Sequence, residues 1–211
     1  MKIEIWSDVV CPWCYIGKRR LEHALDEFEA APDSGGDDVE IIWRSFQLNP
    51  DAPRGQAIPT RQYLASRFGP QASQMADRVA AVAKEEGLDF AADALSVNTF
   101  DAHRLLHLAA AEGVQGAAKE RLLRAHFVEG ADLSDPDTLV ALMKEAGVSE
   151  DSARAVLENP DEYAKAVDSD IAEARMLGAT GVPFVVIDRK YGISGAQPAE
   201  VFRQALSTAH G

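Results

Sequence analysis

Cysteine is nearly absent: Cys11 and Cys14 are the only two in 211 residues. A multi-bridge disulfide scaffold is thereby excluded. No stretch approaches the apolar length of a membrane span, and no basic segment followed by an apolar run opens the chain. Ile3 already begins a core strand, so no removable leader is expected, and the expected location is the cytoplasm. There a lasting disulfide is rare, which makes two cysteines spaced Cys-X-X-Cys a reactive pair rather than a staple. Basic excess is also missing, because 21 Lys and Arg face 34 Asp and Glu for a net charge of −13. Such a surface repels phosphate backbones and anionic lipid, so neither nucleic acid nor membrane is an expected partner. A second cysteine pair and a His-Glu-X-X-His helix are both lacking. His103 and His107 stand four apart, but without those partners no metal is expected.

What the sequence does contain is centred on Cys11-Pro12-Trp13-Cys14. Lys2-Ile3-Glu4-Ile5-Trp6 alternates polar and apolar residues as a strand does, and helical spacing follows Pro12. The pair therefore sits where a strand ends and a helix begins. Pro12, with its fixed φ and no N–H, suits the first helical position and makes Cys11 the N-cap. There its sulfur is expected to face the free N–H groups of Trp13 and Cys14, at the positive end of the helix dipole. Thiolate is favoured at Cys11, which is read as the nucleophile. Trp13 is neutral and Asp8 opposes a second negative charge, so the expected activation is moderate. Cys14, Leu21, Leu25 and Phe28 share one helical face, which turns Cys14 inward as the resolving thiol.

The helix from Pro12 to about residue 30 and a strand over 39–46 complete a β-α-β unit, with a turn-rich Pro32–Asp37 stretch between them. A right-handed crossover makes the two strands parallel. After Pro50, Pro53, Gly55 and Pro59 the strand signal disappears for more than half the chain, and helices follow. Thr60 caps the first, which ends near Gly69. The second runs from about 72 to 86 with Met75, Val79 and Val82 on its inner face. Others cover 101–112, 116–129, 135–146 and 149–159. A long one opens at Pro160, with Tyr163, Val167, Ile171, Ala174 and Leu177 on one face. Strands return at 183–187 and 191–194, and a helix over about 199–207 closes the order. The predicted fold class is α/β, a thioredoxin-like fold with a large inserted all-helical domain. Residues 1–58 and 161–211 form the two parts of the thioredoxin-like domain, and 59–160 the insertion. Trp6 and Trp43 are placed in the core or the domain interface. Tyr15 and Ile16 are read either as a substrate rim or as packing under the insertion.

Five segments resemble the DsbA-like oxidoreductases, and among them the FrnE-like group of cytoplasmic thiol-disulfide enzymes. They are Ser7–Cys14, Phe46–Pro50, Asn98–Arg104, Thr180–Phe184 and Ser194–Pro198. The second cysteine pair that some of that group carry is absent here. The resemblance implies a cis Val182–Pro183 bond beside the sulfurs, with Val182 pairing to an extended substrate. It implies substrate contacts at Pro12, Trp13, Val182, Pro183, Asn98 and His103, with Arg104 beside them at the domain junction. A second reading makes Asn98 or Asp101 a helix start, His103 a packing residue and Arg104 a solvated charge, and both readings stay open on the sequence.

The implied activity is thiol-disulfide exchange or isomerisation on disulfide- or thiol-containing proteins. No cofactor is bound, and glutathione fits as a co-substrate. The alternative is a glutathione-dependent enzyme resembling 2-hydroxychromene-2-carboxylate isomerase or the kappa-class glutathione transferases. Those typically have serine where Cys11 stands. A homodimer through the helical domain is compatible with either.

Overall fold

The computed structural model describes residues 1–30, 39–92 and 94–211. The turn expected over Pro32–Asp37 lies outside the described residues. Strand β1 (Lys2–Ser7) leads into helix α1 (Pro12–Glu29), and β2 (Glu40–Ser45) pairs with β1 in parallel. The chain returns to this sheet with β5 (Phe184–Ile187) and β6 (Tyr191–Ser194), giving the order β2-β1-β5-β6. The β1–β5 and β5–β6 pairs are antiparallel. The final helix, α9 (Ala199–His210), lies against α1. This is a thioredoxin-like fold with a helical insertion, as the order of elements predicted.

Strand alternation assigns the sheet two faces. Ile3, Ile5, Trp43, Val185 and Ile187 share a core with Leu21, Leu25 and Phe28 of α1 and Phe202 and Leu206 of α9. Trp6, Phe184 and Val186 point the other way, toward Ala174 on α8 (Ala164–Met176). Asp170 fastens that helix to the sheet. Its carboxylate accepts from Ser45 N–H at 2.8 Å and sits 3.2 Å from Arg44, while its backbone carbonyl accepts from Trp6 Nε1 at 2.8 Å.

Between the two halves lie β3 (Ala57–Pro59), α2 (Thr60–Phe68), a short 3₁₀ turn at 69–71 and α3 (Ala72–Glu85). They are followed by β4 (Leu95–Val97), α4 (Phe100–Ala111), α5 (Gln115–Phe127), α6 (Pro136–Glu145) and α7 (Glu150–Glu158). Helices α4 to α7 enclose a second core built on Leu105, Leu122, Leu139, Val140 and Met143, and Val9 from the redox loop is part of it. The insertion thus shares packing with the segment that carries the cysteines. Among the described residues no helix is long and apolar enough to cross a membrane.

Four expectations are corrected. The strand signal does not vanish after Pro59, because β4 pairs antiparallel with β3 at the end of that connection, though each is only three residues long and shows no alternation to read. Thr60 is the first residue of α2 rather than its cap, a position held by Pro59. Met75 is 43% exposed, because Ala72, Val79, Val82 and Ala83 supply the packed side of α3. Helix α8 starts at Ala164, not Pro160, because Tyr163 takes a left-handed φ of 58° that a continuing helix cannot hold. Its buried residues are Val167, Asp170 and Ala174, while Leu177 lies past its end and is 40% exposed.

Candidate active site

Cys11 is the N-cap of α1 with extended backbone, and Pro12 is the first helical residue, as the sequence requires. Both cysteines are free thiols and both are buried. The Cys11 sulfur does not complete the cap, since it makes no capping hydrogen bond among the described residues. Its thiol lies 3.5 Å from the Val182 carbonyl, which it faces as a donor. The Val182–Pro183 bond is cis. Two segments distant in sequence are thus brought together at the pair. Gly17, one turn into α1, explains how closely they approach. A Cβ there would stand 3.0 Å from Pro183 Cγ and 3.4 Å from the Ala196 Cβ. Gly17→Ala is expected to push the 182–183 segment off the sulfurs and to cost about 1–3 kcal/mol by overpacking. Thermal unfolding and the rate of Cys11 alkylation check it, and an unchanged value in both would refute the close approach.

A hydrogen bond to the Cys14 sulfur and burial push the Cys11 thiol well up, and Asp8 adds to the rise. Cys14 is lowered in spite of its burial, by the hydrogen bond from Cys11, the charge of Lys119, the Ser7 hydroxyl and the Asp8 N–H. These directions work against the helix terminus, on which the moderate activation expected at Cys11 rests. The helix terminus does favour an anion, but the inner sulfur collects more of the positive groups. Such a pair loses its two protons in coupled steps.

Asp8 is the hub on the other side of Cys11. Completely buried, it accepts from His103 Nε2 at 3.2 Å and from Leu48 N–H at 2.8 Å, and its carbonyl receives the Cys11 N–H at 3.2 Å. Burial works to raise its carboxyl, but His103, Leu48 and Thr99 hold it below the usual carboxylate range. His103 reaches the site through this carboxylate. Asn98 is drawn in one step farther out. Its side chain accepts from Gln47 at 3.2 Å and from Phe100 N–H at 2.9 Å and donates to the Ala52 carbonyl at 2.7 Å, which fixes the 47–52 segment that carries Leu48.

Arg104 is neither a pocket residue nor a solvated charge. Buried on α4, it donates to the carbonyls of Val156, Asn159 and Glu162 and to Asp101, and so staples α4 to the end of α7. His107 turns to Ser45 and Asp170, away from His103. Among the described residues no three His, Cys, Asp or Glu side chains gather as metal ligands. Tyr15 and Ile16 resolve to packing: both are buried against Leu123 and Phe127, and the Tyr15 hydroxyl donates to Glu120 at 2.8 Å. Burial and that carboxylate push Tyr15 up to about 12. The accessible rim consists of Trp13, 37% exposed, Leu48, 41% exposed, and half-buried Pro12 and Val182.

The sequence reading passed over Lys119 and Ser7. Lys119 stands in the apolar stripe of α5 beside Leu122, Leu123 and His126, all of them buried. A lysine and a histidine seven apart inside such a stripe were the available signal.

Comparison with known proteins adds kinship. The DSBA-like thioredoxin domain model matches residues 2–207. The solved structure of the probable DsbA oxidoreductase SCO1869 from Streptomyces coelicolor is 44% identical, with a TM-score of 0.90 over 99% of this chain and 89% of that one. YwbO of Bacillus subtilis, itself uncharacterised, is 27% identical over 213 residues, 97% of this chain and 95% of the relative. The cytosolic disulfide reductase DsbM of Pseudomonas aeruginosa, solved with GSH, shares the fold at 21% identity, with a TM-score of 0.62 over 99% of this chain and 98% of that one.

Proposed function

This chain belongs to the DSBA-like thioredoxin domain family, and from that premise we propose that it exchanges disulfides through Cys11 and Cys14. The observation that carries the reading is the position of Cys11, whose sulfur meets Val182 at the mouth while Cys14 lies behind it. In the reductive direction the Cys11 proton passes to Cys14, and the Cys11 thiolate attacks a substrate sulfur. The substrate S–S bond breaks, and its electron pair leaves on the other substrate sulfur. Cys14 then loses its proton and attacks Cys11, closing the intramolecular disulfide and releasing the second substrate thiolate. In the oxidative direction a substrate thiolate attacks Cys11 and Cys14 leaves.

The exposed Trp13 and Leu48 suit an extended apolar peptide beside Val182, so cysteine-containing proteins are the first substrate class. Glutathione is the second, as a small thiol that recharges the pair. The cytoplasm is the compartment in which two reactive cysteines and no structural disulfide fit best. The direct test is release of thiol from a disulfide-bonded peptide and from oxidised glutathione by the reduced protein. One disulfide equivalent cleaved per protein is expected with at least one substrate. No release from either overturns the reading.

A further inference from the structure

Lys119 is completely buried on α5, and its ammonium has no hydrogen-bond partner among the described residues. A buried cation without a counter-charge is strongly unfavourable. Its neighbour Lys18 shows the usual remedy, since that side chain, also buried, pairs with Glu22 and with Glu120 at 2.6 Å. Lys119 faces the redox site instead. The anions whose charge acts on it are Cys14, Asp8 and Cys11, with Lys18 opposing them.

The placement is enforced by α5. One turn earlier on the same face, the Gln115 side chain clamps the backbone of Trp43, accepting its N–H at 3.0 Å and donating to its carbonyl at 2.9 Å. Lys119 Nζ then lies 5.4 Å from the centre of the Trp43 ring. Ser7 Oγ, His103 Nδ1 and His126 Nδ1 are likewise buried without hydrogen-bond partners among the described residues. Ser7 faces Cys14, His103 is bonded to Asp8, and His126 feels the charge of Asp8. Burial pushes His126 down to about 4, so it adds no charge near neutral pH. Of these four groups, Lys119 and Ser7 act on Cys14, while His103 and His126 act on Asp8.

We propose that Lys119 is the proton acceptor and counter-charge of Cys14, so that the helical insertion supplies a working part of the redox site. The inference rests on the disulfide-exchange reading above. In the mixed disulfide no thiolate faces Lys119, and its ammonium gives a proton to solvent; in the resolving step the neutral amine takes the Cys14 proton, and the sulfur's electron pair forms the bond to Cys11. The Cys11–substrate bond breaks, its electron pair leaves on the substrate sulfur, and that thiolate takes a proton from solvent. The substrate disulfide is the oxidant. In the oxidative direction Cys14 leaves as a thiolate beside the ammonium, which makes it a better leaving group. Burial lowers Lys119 against the pull of the thiolates, to about 8. Cys14 is lowered as well, so both partners of the transfer titrate below their ordinary ranges.

Two measurements test it. The first follows Cys14 alkylation against pH in Cys11→Ser and in Cys11→Ser/Lys119→Met. The second variant is expected to titrate one pH unit or more higher, about a tenfold loss of thiolate at neutral pH. The second uses the unaltered protein, labelled with ¹³C at lysine Cε and titrated by NMR in its oxidised and reduced forms. Coupling requires Lys119 to titrate lower in the oxidised form, where no thiolate faces it, and this result is independent of whether the variant folds. If Lys119 titrates identically in both forms, or Cys14 is unmoved by Lys119→Met, the inference is overturned. Normal exchange by the wild type alongside unmoved titrations refutes the lysine's role alone. Shifted titrations without any exchange support the coupling and refute the exchange reading.

Discussion

Cys11→Ser is expected to reduce disulfide exchange by roughly 10³-fold or more, to the uncatalysed background, as loss of a covalent nucleophile does. The expectation is sharpened by the acidities of the two thiols. In the reduced pair Cys14 is lowered and Cys11 raised, so a mechanism governed by acidity alone would let Cys14 carry on without Cys11. Position argues otherwise. Both sulfurs are buried, but Cys11 is the N-cap of α1, against Val182 and next to the exposed Trp13, whereas Cys14 lies within the first turn on the buried face. Cys14→Ser should behave differently, forming a mixed disulfide on Cys11 that accumulates because nothing resolves it. Mass spectrometry of both variants after incubation with oxidised glutathione reads the distinction. A stable adduct on Cys14 in the Cys11→Ser protein would reverse the two roles.

Asp8→Ala is expected to cost about 3–5 kcal/mol, in line with two buried hydrogen bonds to a charged acceptor at about 1.5–3 kcal/mol each. The carboxylate is completely buried and holds His103 and the Leu48 N–H, so alanine leaves both without an acceptor. At about 2–4 °C per kcal/mol for a chain of this size, the melting temperature should fall by roughly 6–20 °C. The pH dependence follows from the depressed carboxyl. Its folded-state pKa lies below the unfolded value near 3.8, so its contribution is complete above that value and is lost as pH falls through the folded pKa. The gap between wild type and variant should therefore be full at neutral pH and close in acid. Removing the charge also relieves Cys11, whose thiol Asp8 helps to raise, and its alkylation at neutral pH should quicken. A melting temperature within a degree of wild type would refute the hub.

Much of this arrangement was written locally. Pro12 after Cys11 marks a helix start whatever surrounds it, and the alternation from Lys2 to Trp6 and the apolar run from Pro183 to Ile187 mark strands. Val182 then comes to Cys11 because β5 pairs antiparallel with β1. What escaped was set by contacts between distant segments. Arg104 stayed open between a junction residue and a solvated charge because the three carbonyls it binds belong to residues 156, 159 and 162, in another turn of chain. The pull on Cys14 was not legible, because the helix terminus at Cys11 is visible in sequence while the Lys119 charge that lowers Cys14 arrives from α5. Tyr163 gave no sign of its left-handed backbone, and so the start of α8 was placed four residues early.

The most direct test of the account is the equilibrium redox state of the pair, read by trapping free thiols across a series of glutathione buffers. The account predicts one two-electron transition in which Cys11 and Cys14 go from dithiol to intramolecular disulfide, with glutathione bound only in passing. A chain that forms no internal disulfide and instead keeps glutathione on Cys11 at equilibrium would contradict it, and would place the protein with the glutathione-dependent isomerases and transferases.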